Sequence, residues 1–126
     1  VSRVADRLGD RVGKWSTPNK PAEHTLLGHA LGVHAPGERL LFDASPVAHH
    51  QLLAHGQAVR ALRASGASDI GIADSHGPAW PASGVAAGRE ATEFHDVLLN
   101  RMFADPVLSG RYPEGTGELM RGTPVR

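Results

Sequence analysis

Trp15-Ser16-Thr17-Pro18-Asn19-Lys20-Pro21 is the stretch on which the reading of this chain turns. Residues 12–17 can form a strand, and Pro18 then interrupts it. Proline gives no N–H to a ladder and is rare in central parallel strands, so the strand is expected to be cut short or bent there. Upstream, Val1, Val4 and Leu8 fall on one face of a short helix that Gly9 can terminate. Downstream, residues 21–45 are loop-rich, with Gly28, Gly32, Pro36 and Gly37 as breakers. A loop of that length is often functional or inherited from a larger fold.

The second helix has the clearest local signal. Ser45 is a good N-cap and Pro46 suits the first helical position. Ala48, Leu52, His55, Val59 and Leu62 then recur at four- and three-residue steps on one face, and Gly66 can close the helix. Residues 69–75 read as a buried strand and residues 77–88 as a Gly/Pro/Ala loop containing Trp80. A third helix over roughly 89–104 should bury Phe94, Val97, Leu98 and either Met102 or Phe103. From Asp105 the chain is expected to turn irregular, with a frayed tail from about residue 119. The expected order is helix, strand, long loop, helix, strand, loop, helix, in a single domain over residues 1–126.

Composition limits the function classes. A chain of 126 residues with 40% hydrophobic residues holds one small core. The formal net charge is zero, which gives no reason to expect nucleic acid or an anionic membrane as partner. No apolar run reaches about 18 residues and no signal-peptide pattern is present, so the expectation is a cytoplasmic protein. The absence of cysteine excludes disulfides, thiol catalysis and Cys-ligated zinc. Eleven arginines against two lysines, with abundant Ala and Gly, fit a high-GC coding bias and need no functional reading.

Several motifs in order resemble glycoside hydrolase family 1, the retaining β-glucosidases. Thr17-Pro18-Asn19-Lys20-Pro21 is similar to the family's Thr-x-Asn-Glu-Pro at the end of barrel strand 4. Leu31-Gly32-Val33-His34-Ala35-Pro36-Gly37 resembles its Gly-x-Gly-x-His-Ala-Pro-Gly loop, and Ala48-His49-His50-Gln51-Leu52-Leu53-Ala54-His55-Gly56 its following helix. Ile70-Gly71-Ile72 resembles the start of strand 5. Asn100-Arg101-Met102-Phe103-Ala104-Asp105-Pro106 and Gly110-Arg111-Tyr112-Pro113 keep the spacing of a later motif, and Asp6 to Val12 match the helix end before strand 4. The resemblance implies an α/β fold: a partial (β/α)8-barrel segment covering strands 4 and 5, completed by oligomerisation. A complete barrel takes about 250 residues.

The same resemblance implies an altered site. The family's general acid/base Glu corresponds to Lys20, and its nucleophile Glu lies on strand 7, beyond this chain's end. A retaining glycosidase needs two carboxyls about 5 Å apart. A lysine ammonium cannot shuttle a proton in that way near neutral pH unless its pKa is strongly depressed. Asn19 stands where the family contacts a sugar hydroxyl, and Ser75 where strand 5 supplies an Asn.

Candidate residues beyond the motif cluster at the two strand ends. Lys20 and His24 follow strand 4, and Asp74 and His76 close strand 5, a set suited to acid/base chemistry. Asn19, Trp15, Ser75 and Trp80 are candidates for holding a ligand, the tryptophans by stacking on a ring. Glu23 lies beside them and, like Asp74, can simply pair with Lys20. The eight histidines suggest metal, but His34, His49, His50 and His55 coincide with architectural histidines of the family, so no metal and no cofactor are expected.

These readings converge on a truncated β-glucosidase-like protein that lacks both catalytic carboxylates and binds a glycoside or other small polar ligand without hydrolysing it. One alternative is a repurposed biosynthetic enzyme using Lys20, His24, Asp74 and His76. Another is a non-catalytic partner or fragment of a larger barrel protein. A two-strand piece leaves sheet edges and apolar helix faces open, which favours a homo-oligomer.

Overall fold

The structure is a computed structural model that describes residues 1–116. The tail expected to fray from about residue 119 lies outside the described residues. Helix α1 (Ser2–Leu8) closes one residue before Gly9 and buries Ala5, while Val1, Val4 and Leu8 remain exposed. Strand β1 (Trp15–Asn19) and strand β2 (Ile70–Ala73) form a two-stranded parallel sheet.

Pro18 does not end β1; it sits in a bulge. Trp15 pairs with Ile70 and Ser16 with Gly71, but the next partners are Asn19 and Ala73. Three steps on β1 therefore match two on β2, and the extra residue absorbs the proline that cannot donate to the ladder. Pairing then resumes, with the Lys20 amide donating to the Ala73 carbonyl at 2.7 Å. The strand thus runs later than residues 12–17, through Asn19.

Residues 21–45 also differ from the expected loop. Helix α2 (Pro21–Glu23) starts immediately after Lys20 and continues as π-helical turns over His24–Ala30. Gly28 is part of this helix because the following segment crosses it closely. A Cβ there would stand 2.8 Å from the Ala35 carbonyl oxygen. The crossing segment is tied down by the Glu38 amide on the Gly28 carbonyl (3.1 Å) and the Leu40 amide on the His29 carbonyl (2.9 Å). Only residues 31–40 are irregular.

A 3-10 turn (Leu41–Ala44) leads directly into helix α3 (Ser45–Ala64). Ser45 is therefore inside the helix, and its hydroxyl donates back to the Phe42 carbonyl at 2.8 Å instead of capping an amide. Gly66, at φ +89°, closes the helix as its permissive backbone allows. Helix α4 (Ala86–Asp96), π-helical turns (Val97–Arg101) and helix α5 (Met102–Ser109) follow one another without a break. The helical run exceeds the expected 89–104 at both ends. Each π turn carries an extra residue and shifts the helical phase, so Phe94 faces out at 51% exposure while Met102 and Phe103 are both buried.

The core is formed by Ala22, Ala48, Leu52, Met102 and Phe103, with Ile72, Leu98 and Tyr112 packed against it. It joins α2, α3 and α5 to the face of β2 that carries Ile72. Among the described residues, no helix is long and apolar enough to cross a membrane.

Candidate functional site

The C-terminal ends of β1 and β2 meet at Asn19, Lys20 and Ala73. Lys20 adopts φ 53°, ψ 57°, a left-handed conformation that side chains other than those of Gly, Asn and Asp rarely take. It is held there from both sides: its amide donates to Ala73 and its carbonyl accepts from the His24 amide at 3.1 Å. Asn19 and Lys20 are both exposed at this strand-to-helix turn. Among the described residues, the Lys20 ammonium has no carboxylate within 4 Å.

Side-chain alternation separates the other candidates. Successive strand residues point to opposite faces, and Ile72 packs on the helical core. Asp74, two residues on, follows Ile72 and lines a cavity of about 300 Å³ with His76, Phe103 and Val107. Asp74 Oδ2 lies 3.5 Å from His76 Nδ1. Burial pushes the Asp74 carboxyl above its ordinary value; His76 and the Ser75 amide oppose this, and Glu23 adds to it. The structure therefore joins Asp74 to His76 and brings Glu23 into their field, but does not pair either with Lys20.

Ser75 falls on the other side and lines a cavity of about 170 Å³ with Glu23, Leu27, Gly77, His95 and Asn100. Glu23 Oε2 is shut off from solvent and lacks a hydrogen-bond partner among the described residues. His24 is exposed and stacks edge-on against His29 at 5.0 Å, with His29 in turn 2.7 Å from Glu38. Trp15 begins β1, far from Lys20, and borders a depression over α3 with His55 and Leu62. Trp80 stands 77% exposed in the loop before α4.

His49, His50 and His55 serve the scaffold. His55 Nδ1 shares a 2.6 Å hydrogen bond with the Thr17 hydroxyl, tying α3 to β1, and burial lowers its pKa from 6.5. His49 Nδ1 bonds the Tyr112 hydroxyl at 2.8 Å, and His50 Nδ1 donates to the Pro46 carbonyl at 2.7 Å. Among the described residues, no group of three His, Asp or Glu side chains is placed to hold a metal ion.

Asn100 is a residue whose role sequence reasoning missed. Its amide nitrogen donates to the Gly77 carbonyl (2.8 Å) and to Asp96 (2.6 Å), and its oxygen accepts from the Gly77 amide at 3.2 Å. It clamps the segment after β2 to the α4–α5 run. Asn100-Arg101 was visible as part of a motif, but nothing in its spacing indicated the clamp. Arg101 is engaged by Glu93 (3.1 Å) and Asp105 (3.2 Å).

Comparison with known proteins identifies this framework. The model of glycosyl hydrolase family 1 matches residues 2–124. Beta-glucosidase A of Acetivibrio thermocellus is 44% identical over 119 residues, covering 94% of this chain and 27% of the relative. The crystal structure of the psychrophilic beta-glucosidase BglU from Micrococcus antarcticus superposes with a TM-score of 0.85 at 46% identity, over 89% of this chain and 24% of that one. The AHE enzyme from Alicyclobacillus herbarius gives 0.88 at 37% identity, covering 99% and 30%. The structural neighbours are (β/α)8 barrels. The chain spans about a quarter of the length of the curated relatives it matches. It belongs to glycosyl hydrolase family 1.

Proposed function

We propose that this chain carries the strand-4 and strand-5 part of a β-glucosidase-like site, with Lys20 in place of the acid/base Glu. In this reading it binds a glycoside or another small polar ligand without hydrolysing it. The observation that supports the reading is the setting of Lys20. It ends β1 next to Asn19, is fixed in a left-handed turn, and has no carboxylate partner among the described residues. A free ammonium beside an amide suits hydrogen bonding to hydroxyl oxygens. It does not suit transfer of a proton to a leaving group.

Calorimetric titration with methyl β-D-glucoside tests this. Saturable binding that Asn19→Ala weakens is the expected result. Absence of saturable binding, or binding indifferent to Asn19→Ala and Lys20→Ala, would contradict it. A second reading, acid/base chemistry at the strand ends, is favoured by the 3.5 Å contact of Asp74 with His76. It requires chemical change of an added glycoside or carbonyl compound that disappears in His76→Ala.

The open sheet also bears on assembly. Among the described residues each strand has one partner, and Val1, Val4, Leu31 and Leu41 are all at least 45% exposed. Unpaired edges and uncovered apolar faces favour association, and the reading includes a homo-oligomer.

A further inference from the structure

Away from the strand ends, the π-helical turns after α2, the 3-10 turn and the α4–α5 run border a half-open cavity of about 230 Å³. Small side chains create it. Ala22, Ala30 and Ala44 are 4%, 8% and 1% exposed and leave a gap beside the core residues Met102 and Phe103. Phe42 and Phe94 stand at its rim, with ring centroids 6.2 Å apart in an edge-to-face pair. Both are more than half exposed.

The lining offers a ligand almost nothing polar. Of its two hydroxyls, Thr25 Oγ1 already accepts from the Gln51 amide at 2.8 Å, and Ser45 Oγ donates to the Phe42 carbonyl. A ligand that needs hydrogen bonds would lose those it makes with water and regain few here. An uncharged apolar molecule loses none. Size sets the second limit. A dry cavity of about 150 Å³ accommodates benzene, so about half as much space again suits roughly nine or ten carbon atoms. The space is too small for a row of side chains from a docked helix or strand. Lys20, Asn19 and Asp74 do not line it.

We propose that this cavity is a binding site for a small uncharged apolar molecule of one or two rings, with Ala22 as its floor and the Phe42–Phe94 pair as its cover. Indane, with nine carbons, is a suitable probe. The chain has two methionines, so methyl-¹³C-methionine labelling gives two resonances, which Met120→Leu assigns. The expected result is a saturable shift of the Met102 methyl on titration with indane. Ala22→Leu, which fills the floor, should weaken binding about tenfold or more, since the ligand loses buried apolar contact. Phe94→Ala, at the half-exposed rim, should weaken it about threefold and keeps the test open should Ala22→Leu fail to fold. Three results would overturn the proposal: no saturable shift up to the solubility limit of indane, a shift unchanged in folded variants, or a shift seen only with a change in solution mass. The last would assign the cavity to a second copy of the chain.

Discussion

At the scale of the residue, Lys20 ends β1 in an unusual backbone conformation. The left-handed conformation costs a side-chain-bearing residue about 1–2 kcal/mol. The cost persists because the Ala73 carbonyl and the His24 amide fix the turn from both sides. Glycine would avoid the steric penalty but lose more freedom on folding. Lys20→Gly is therefore expected to raise stability by about 1 kcal/mol or less in chemical denaturation. A marked loss of stability instead would mean that the lysine side chain itself holds the turn. Asn19 and Lys20 were legible as a pair because the motif places them. The orientation of Asp74 was not, since the side of the sheet a residue faces depends on register and on the bulge at Pro18. Those are properties of two strands together, and a single run of sequence does not contain them.

At the scale of the element, helix α3 was read well because its apolar residues recur at helical spacing and no close neighbour overrides them. Ala48, Leu52 and Leu62 are buried as expected. The helix over residues 21–30 was missed for a physical reason. Gly28, which looks like a breaker, is required by the segment that crosses it. The π turns were equally invisible, and they carry Phe94 outward from the core. The link between α3 and β1 is testable through His55. Burial lowers its pKa below the ordinary 6.5, so the neutral form is favoured in the fold. Its contribution is present above pH 6.5 and is lost as pH falls through the lowered folded value. Wild type should therefore lose stability relative to His55→Gln between pH 7.5 and 5, measured by urea denaturation at each pH. An equal loss in both would show that the Thr17–His55 contact carries no such linkage.

At the scale of the whole molecule, two parallel strands and their helices make one corner of a larger architecture. Ile72, Met102 and Phe103 build a core on one side of the sheet, and among the described residues each strand leaves one edge unpaired. The family was legible in the motifs, and the fold superposes on about a quarter of a much longer relative. Light scattering over a range of concentrations is expected to give a multiple of the 13.3 kDa chain mass. A monomer at all concentrations would mean that the sheet edges stay unpaired or need a different protein.

The most direct measurement is release of nitrophenol from an aryl β-D-glucoside by wild type and by Lys20→Glu. If Lys20 stands in place of the acid/base Glu, as proposed, wild type gives no turnover above the protein-free rate. Turnover gained by Lys20→Glu would show that position 20 can carry an acid/base carboxyl. Turnover by wild type that disappears in Lys20→Ala would contradict the account at its centre, because it would make Lys20 a working catalytic residue.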